Sequence, residues 1–205
     1  MRSSNSHRYQ ILAQRIGISL SPNQEERMEH YLELLLLWNK KVNLTGAASA
    51  EDLLNDHLPD SFSMAKAIPP NFDVVDIGSG GGLPAIPFAI LRPETKVLLV
   101  EPRAKRTAFL HEACRQLRLS QVTVLRGRLE EIPPKHFVFF SSKATFHPQI
   151  WLNLSLPLCD ANSRVLTFLG RETNPEDLKP RPLQKLHYLT GNNVPRCLAI
   201  FGPTN

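Results

Sequence analysis

The sequence predicts an α/β protein built on a mostly parallel, doubly wound sheet, with a helical part at its N-terminal side. Two observations predict this fold class. From residue 69 onward, short apolar runs alternate with helical patterns, which is typical of parallel strands whose connecting helices cover both faces of a sheet. The first apolar run leads into a glycine-rich loop, VVDIGSGGGLPAIP, from Val74 to Pro87. We divide the 205 residues into a helical part, 1–68, and a core, 69–205, within one compact unit.

The first twenty residues carry three arginines and no acid. This composition resembles a transit peptide, but we expect a short disordered tail ahead of the first helix. Ser21, Pro22 and Gln24 then predict a helix start with a capping box. Apolar residues follow at helical spacing, and the helix should pack through them: Met28, Tyr31, Leu32, Leu35 and Trp38.

The segment WNKKVNLTG should end this helix, with Asn43 and Gly46 as turn residues. SAEDLLNDHLPDSFSMAKAI then predicts one or two further helices. In the core, helices are expected over 84–91, 104–116 and 150–156. Strands are expected over 72–77, 96–100, 122–125, 137–140 and 164–169, with RCLAIF as a last strand after a polar tail that begins near Gly170.

Bulk composition is that of an ordinary globular chain, with 42% hydrophobic and 21% charged residues. No apolar run approaches the roughly 20 residues of a membrane-spanning helix, so we expect no membrane partner. The three cysteines have neither metal-ligand nor CxxC spacing. Reduced thiols in a cytoplasmic protein are the simplest interpretation, and no metal site is expected.

The end of the glycine loop limits what it can hold. A phosphate-binding Walker loop needs Gly-Lys-Ser/Thr, whereas Leu83-Pro84 offers neither a cation nor a hydroxyl. A dinucleotide loop fits Gly78 and Gly80, but its sixth position is Leu83 instead of Gly or Ala. Prolines also remove N–H donors near the helix start. The loss of these N–H donors would weaken the binding of a cofactor without a phosphate less than that of a dinucleotide.

Two acids follow neighbouring strands. Asp76 lies beside the glycine loop, and Glu101 ends the next strand, where an acid that binds ribose is expected. An acid beside the loop suits a cationic cofactor better than a pyrophosphate. Together these residues favour S-adenosyl-L-methionine, with NAD as the alternative, although a strand-ending Asp often serves only as a helix cap.

Positive charge is uneven along the chain. The formal net charge is +5, yet residues 92–128 hold nine Lys/Arg against three acids. This excess indicates either a surface that faces a polyanion or a solvated, arginine-rich helix face.

Five segments in the same order carry a resemblance to a known family: LLLLWNKKVNLTG, HLPDSF, VVDIGSGGGLPAIPFAILRPE, KRTAFL and VTVLRGRLEEI. Over roughly residues 11–170, with a weaker match in RCLAIF, the chain resembles the bacterial small-subunit rRNA guanine-N7 methyltransferases, the RsmG (formerly GidB) family. The resemblance implies a Rossmann-like, S-adenosylmethionine-dependent methyltransferase fold with an N-terminal helical extension. It also places residues 11–20 inside the fold.

The resemblance implies a set of cofactor contacts. Glu101 takes the position of the ribose acid, and Lys143 takes the position of an arginine in the family's SRA motif. Leu129 and Glu130 match the pair that holds the adenine. The cofactor set is completed by the glycine loop and its acid: Gly78, Gly80, Leu83 and Asp76.

The resemblance further implies methyl transfer to N7 of a guanine in 16S rRNA, free or in the small ribosomal subunit. We expect the protein to be a monomer. Guanine N7 has a lone pair and no proton, so positioning suffices and we expect no catalytic base. His57 and Asp60, three apart in HLPDSF, are interpreted as structural hydrogen-bonding partners. RNA phosphates should contact basic residues: Arg103, Lys105, Arg106 and Arg128, with further contacts from Arg115, Arg118, Arg126, Lys40 and Lys41.

Three positions depart from the family pattern. Lys143 replaces an arginine, Val138 an acid and Leu169 a lysine, and we expect all three around one end of the pocket. They motivate an alternative function, a catalytically weakened homologue that binds the cofactor and RNA.

Overall fold

A seven-stranded sheet forms the centre of the computed structural model, which describes residues 6–132 and 137–203. Its order is β3-β2-β1-β4-β5-β7-β6. The first five strands pair in parallel, while β7 is antiparallel to both β5 and β6. This confirms the predicted doubly wound, mostly parallel architecture. The strands are β1 (Val74–Ile77), β2 (Val97–Val100), β3 (Val122–Leu125), β4 (Phe139–Ser142), β5 (Arg164–Leu169), β6 (Gln184–Leu189) and β7 (Pro195–Phe201).

Helices cover both faces of this sheet. One turn of π-helix, Leu53–His57, joins the third and fourth helices into a continuous rod. No helix among the described residues is long and apolar enough to cross a membrane. The α-helices are α1 (Ser6–Ile16), α2 (Pro22–Val42), α3 (Ala50–Asp52), α4 (Leu58–Ala67), α5 (Ala85–Leu91), α6 (Ala104–Gln116) and α7 (Pro148–Ser155).

The start of α2 confirms the predicted capping box. The backbone N–H of Gln24 donates to Ser21 Oγ over 3.3 Å, and the N–H of Ser21 donates to Gln24 Oε1 over 2.9 Å. These bonds satisfy two donors that the first helical turn leaves open. At the other end, Asn43 adopts the left-handed conformation, with φ 52°. The helix therefore stops where the sequence predicted.

The expected disordered tail is wrong for the residues that the structure describes. Helix α1 packs on α2 and α4 through an apolar stripe at helical spacing. Because the segment is rich in polar residues, its composition did not indicate a buried helix. The family resemblance, by contrast, correctly placed most of the stripe inside the fold. Residues 1–5 lie outside the described part of the chain. The buried stripe consists of Tyr9, Leu12, Ala13 and Ile16.

Two apolar clusters lie on opposite faces of the sheet. Successive strand residues point to opposite faces, so Val74 joins one cluster and Val75 the other. The larger cluster combines the N-terminal helices with α5 and α6, through Met28, Tyr31, Phe62, Phe88 and Phe109. The smaller cluster lies under α7, around Phe140, Trp151, Leu152, Val165 and Phe201.

Strand β6 is an edge strand that the sequence did not predict. Only one of its six residues, Tyr188, is buried, so its hydrophobic pattern is weak. The turn after it docks against the π-helix, where the N–H of Gly191 donates to the carbonyl oxygen of Asn55 over 2.7 Å. A Cβ at Gly191 would lie 2.3 Å from Asn55 Oδ1, so only glycine permits this approach. The hairpin thereby ties the sheet to the N-terminal helices.

Candidate functional site

A cavity of about 570 Å³ opens at the carboxyl ends of the parallel strands. Strand β1 has β2 on one side and β4 on the other, so the loops after β1 and β4 diverge at this point. Ligands bind at such switch points in doubly wound sheets. The lining comes from the loop after α2, the glycine loop, the loop after β4 and two further side chains: Asn43, Leu44, Thr45, Gly46, His57, Gly78, Ser79, Gly80, Gly81, Leu83, Arg106, Lys143, Ala144 and Thr145.

The glycine loop requires its glycines at defined positions. Gly78 has φ 70°, a conformation that L side chains rarely adopt. A Cβ at Gly78 would also lie 2.4 Å from Thr145 Oγ1, so a side chain would collide with the loop after β4. The two loops can therefore approach each other only if residue 78 is glycine.

Helix α2 supports this loop from behind. The hydroxyl of Tyr31, which is fully buried, donates to the carbonyl oxygen of Gly81 over 2.6 Å. On the sheet side, the N–H groups of Gly78 and Ser79 donate to the carbonyl oxygen of Val100 over 2.8 and 3.1 Å. The loop is thus held by β2 and by the N-terminal helices together.

The motif WNKKVNLTG builds one wall of the cavity. Asn39 Oδ1 accepts hydrogen bonds from the N–H groups of Leu44 and Thr45 over 2.7 and 3.0 Å. Arg106 on α6 donates to the carbonyl oxygen of Asn43 over 3.0 Å and closes the wall from the opposite side. The sequence predicted a turn here and RNA contacts for Lys40 and Lys41, but not the hydrogen bonds of Asn39, because side-chain bonds of this kind leave no periodic pattern.

Glu101 lies beside the cavity and links two of its walls. Its carboxylate accepts from the N–H of Gly80 over 3.0 Å and from the N–H of Arg103 over 2.8 Å. A carboxylate has about four acceptor sites, so two remain for hydroxyl groups. Leu129, buried, and Glu130, exposed, form a 3₁₀ turn after β3 at the same edge of the sheet. Neither lines the cavity itself.

Asp76 is buried beneath the glycine loop, outside the cavity lining, with a side-chain oxygen, Oδ1, that has no hydrogen-bond partner among the described residues. Burial raises the pKa of Asp76 to about 7, against the opposing effects of Ser79, Ser141 and Lys143. A buried carboxylate oxygen without a hydrogen-bond partner is costly unless positive charge comes close to it. This orphaned oxygen fits a cofactor that carries positive charge.

Lys143 lines the cavity and belongs to a buried ion-pair cluster around Asp60, which is 0% exposed. Lys143 Nζ pairs with Asp60 Oδ2, and the guanidinium of Arg196 donates to both carboxylate oxygens over 2.8 and 2.9 Å. The hydroxyl of Tyr188 donates to Oδ1 over 2.7 Å. Burial alone would raise the pKa of Asp60, but the two cations hold it below its usual range. Asp60 is therefore ionised and offsets part of the charge of Lys143.

His57 lies between this cluster and the cavity. Its Nδ1 is 3.1 Å from Lys143 Nζ, and the residue lines the cavity. Burial, together with the ammonium of Lys143, lowers the pKa of His57 to about 4. Both histidine and acid of HLPDSF thus form hydrogen bonds, as expected. Arg196 and Tyr188 were missed, because they come from β7 and β6 and belong to no motif.

Comparison with known proteins supplies the family. The sequence pattern described as rRNA small subunit methyltransferase G matches residues 24–199. A protein of that name from Pseudomonas syringae pv. syringae is 36% identical over 190 residues, 90% of this chain and 86% of that protein. The one from Pseudomonas entomophila is 35% identical over 160 residues, 77% of this chain and 74% of that protein. This chain belongs to the rRNA small subunit methyltransferase G family.

Solved structures at lower identity share the fold of this family member. A SAM-dependent methyltransferase from Aquifex aeolicus matches with a TM-score of 0.54 and 17% identity, over 73% of this chain and 92% of that chain. TrmN from Thermus thermophilus matches with a TM-score of 0.53 and 21% identity, over 69% of this chain and 47% of that chain. The Rossmann-like methyltransferase fold expected from the sequence is confirmed.

The three departures from the family pattern do not gather at the cavity, so that expectation is wrong. Val138 lies at the amino end of β4, where its N–H donates to the carbonyl oxygen of Asp73 over 3.2 Å. Leu169 is buried in the apolar cluster that contains Trp151. Only Lys143 lines the cavity, and it keeps its positive charge paired with Asp60. The departures therefore give little support to a weakened methyltransferase.

The predicted RNA-contacting residues divide between the two edges of the sheet. Helix α6 begins at the edge of the sheet where the parallel strands end and runs back toward the edge where they begin, so Arg115 and Arg118 lie away from the cavity. Arg115 there binds Glu112 over 2.7 Å. Five others flank the cavity: Arg103 and Lys105 are exposed at the start of α6, Arg106 lines the cavity, and Arg126 and Arg128 are exposed after β3. Lys40 and Lys41 are exposed in the last turn of α2.

Proposed function

We propose that this chain transfers a methyl group from S-adenosylmethionine to N7 of a guanine in 16S rRNA. Membership of the rRNA small subunit methyltransferase G family supports the reaction class and the substrate class. The observation that carries the proposal in the structure is the cavity at the switch point, where the glycine loop, Lys143 and His57 meet. The proposal includes a monomeric, cytoplasmic protein.

The chemical character of the surrounding residues fits S-adenosylmethionine. This cofactor supplies an activated methyl group on a positively charged sulfur. Asp76 would place negative charge close to that charge, and the two unused acceptor sites of Glu101 would bind ribose hydroxyls. Leu129 and Glu130 would hold the adenine. The rest of the cofactor would contact the glycine loop and the loop after β4, through Gly78, Gly80, Leu83 and Lys143.

The reaction places modest demands on the protein. Because guanine N7 offers a lone pair and has no proton to lose, the side chains need only hold the base in line at close range. A base that is stacked in RNA must first be turned out to enter the cavity.

Five basic residues around the cavity are proposed to bind RNA phosphates. Three lie at the start of α6 and two follow β3, so they flank the cavity on one side. Their contacts would be sequence-independent, with guanine selected inside the cavity. The residues are Arg103, Lys105, Arg106, Arg126 and Arg128.

Methyl transfer can be tested directly. Small-subunit rRNA from cells without this activity, free or as 30S particles, is incubated with the protein and labelled S-adenosylmethionine, and 7-methylguanine is mapped by chemical cleavage. We expect label at one guanine. Glu101→Ala should weaken cofactor binding in calorimetry, whereas Glu112→Ala, at the far end of α6, should not. Cofactor binding without label transfer to either substrate would contradict the enzyme function.

A further inference from the structure

His57 is held in one protonation state by its neighbours. The ammonium of Lys143 can only donate hydrogen bonds, so His57 Nδ1, at 3.1 Å, must accept. Lys143 Nζ also pairs with the buried carboxylate of Asp60. The imidazole is therefore neutral and carries its proton on Nε2. This agrees with the pKa of His57, which burial and Lys143 lower to about 4.

We propose that the Nε2–H group of His57 donates a hydrogen bond to O6 of the target guanine and thereby selects guanine over adenine. The proposal rests on the proposed function. In guanine, N7 and O6 are adjacent acceptors on one edge of the base, whereas adenine presents a donor amino group beside its N7. A fixed N–H donor next to the reacting nitrogen therefore pairs with guanine and opposes adenine.

A neutral donor suits this position better than a cationic one. Methylation at N7 gives the base a positive charge, and a second uncompensated cation beside it would oppose that change. Asp60 offsets part of the charge of Lys143, and the ammonium against Nδ1 prevents His57 from taking up a proton near neutral pH. Lys143 thus acts as a positioning residue that sets which nitrogen of His57 carries the proton.

The experiment compares three variants of one residue: His57→Ala and two amide replacements. An amide nitrogen in His57→Gln can occupy the position of Nε2, whereas the shorter side chain in His57→Asn reaches only as far as Nδ1. His187→Ala removes an exposed histidine on β6 and serves as a control. Calorimetry with S-adenosylmethionine checks that each variant is folded and binds cofactor within about threefold of the wild type.

The readout is a comparison of two substrates for each variant. The target guanine, once mapped, is replaced by 2-aminopurine, which lacks O6, in rRNA assembled by ligation. The ratio of kcat/KM for guanine to that for 2-aminopurine is measured, and the difference in intrinsic N7 reactivity cancels between variants. For the wild type and His187→Ala we expect a ratio about 10- to 100-fold above that of His57→Ala, the range for losing one buried hydrogen bond. His57→Gln should restore most of the wild-type substrate ratio, whereas His57→Asn should not.

Different failures have different meanings. If the wild type methylates guanine but all His57 variants keep its substrate ratio, O6 is read by another donor such as Arg106, and the inference is overturned while the proposed function stands. A purely structural role would lower kcat/KM for both substrates equally, which also overturns it. If the wild type transfers no methyl group to guanine, the proposed function fails and the inference falls with it.

Discussion

Asp60 holds the charged part of the cavity wall, because its buried carboxylate pairs with Lys143. One buried carboxylate receives hydrogen bonds or ion pairs from Lys143, Arg196 and Tyr188, which come from three different parts of the sheet. Such a cluster is weak evidence of net stabilisation, because burying three charges is itself costly. Removal of its central charge, however, leaves two cations without compensation.

Asp60→Asn should therefore destabilise the protein strongly. We expect the free energy of unfolding to fall by about 3–5 kcal/mol, as is typical when one partner of a buried ion pair is removed. Urea denaturation followed by circular dichroism measures this. Asp177→Asn, in an exposed 3₁₀ turn, is the control and should change stability by less than about 0.5 kcal/mol. Equal stabilities for the two variants would contradict the role of the cluster.

Asp76 makes a pH-dependent prediction. With a pKa raised to about 7 by burial, its carboxyl is largely protonated at pH 6 and ionised at pH 8. A positively charged cofactor favours the ionised form, so binding at pH 6 must displace a proton and is weaker. The affinity for S-adenosylmethionine should rise up to about tenfold between pH 6 and pH 8.

The matched variant for this titration is Asp76→Asn, which cannot ionise. Ionisation of the cofactor's own groups affects wild type and variant alike, so the ratio of their dissociation constants at each pH isolates residue 76. We expect this ratio to change across pH 7. A constant ratio, measured by calorimetry, would show that Asp76 does not respond to the cofactor's charge.

Helix α2 acts as an element that fixes two loops of the cavity. Its face holds the glycine loop through Tyr31, and its last turns shape the following loop through Asn39. The sequence predicted the start, the buried face and the end of this helix, because caps and periodicity are local. It did not predict the contact with Gly81, which is 50 residues away from Tyr31 in the chain.

Tyr31→Phe tests this support. The ring still fills its buried position, but the carbonyl oxygen of Gly81 loses its 2.6 Å partner. We expect a loss of about 1–2 kcal/mol in the free energy of unfolding and a weaker affinity for S-adenosylmethionine, since an unpaired buried carbonyl favours movement of the loop. Tyr9→Phe, in α1 and away from the cavity lining, should leave cofactor affinity unchanged. If the two variants bind cofactor equally, α2 does not govern the loop.

At the scale of the whole molecule, strand order decides which sequence features meet. The sequence predicted the parallel strands and the glycine loop correctly, and it placed Gly78, Gly80, Leu83 and Lys143 in one site; all four line the cavity. It misplaced Val138, because the start and the end of a four-residue strand lie at opposite edges of the sheet. The pairing of Asp60 with Arg196 spans 136 residues and leaves no pattern in either segment.

The distribution of basic residues between the two edges of the sheet predicts how RNA binding depends on salt. Arg103 and Arg128 flank the cavity, whereas Arg115 lies at the far end of α6 and is bound to Glu112. Arg103→Ala and Arg128→Ala should each reduce the slope of log K against log salt concentration by about 1, while Arg115→Ala should not change it. Filter binding to rRNA over a range of KCl measures these slopes. A reduction for Arg115→Ala alone would place the RNA on the opposite edge.

The docking of the β6–β7 hairpin on the π-helix has a consequence for the order of folding. Arg196 belongs to the last strand of the sheet, yet it donates to both carboxylate oxygens of Asp60 beside the cavity. All of α1 to α7 and the five parallel strands precede residue 196 along the chain, so they leave the ribosome before it. Until then, Asp60 has Lys143 as its sole cationic partner in the cluster. The hydrogen bonds of Asp60 are therefore completed last, and truncation before β7 would remove the guanidinium that donates to both of its carboxylate oxygens.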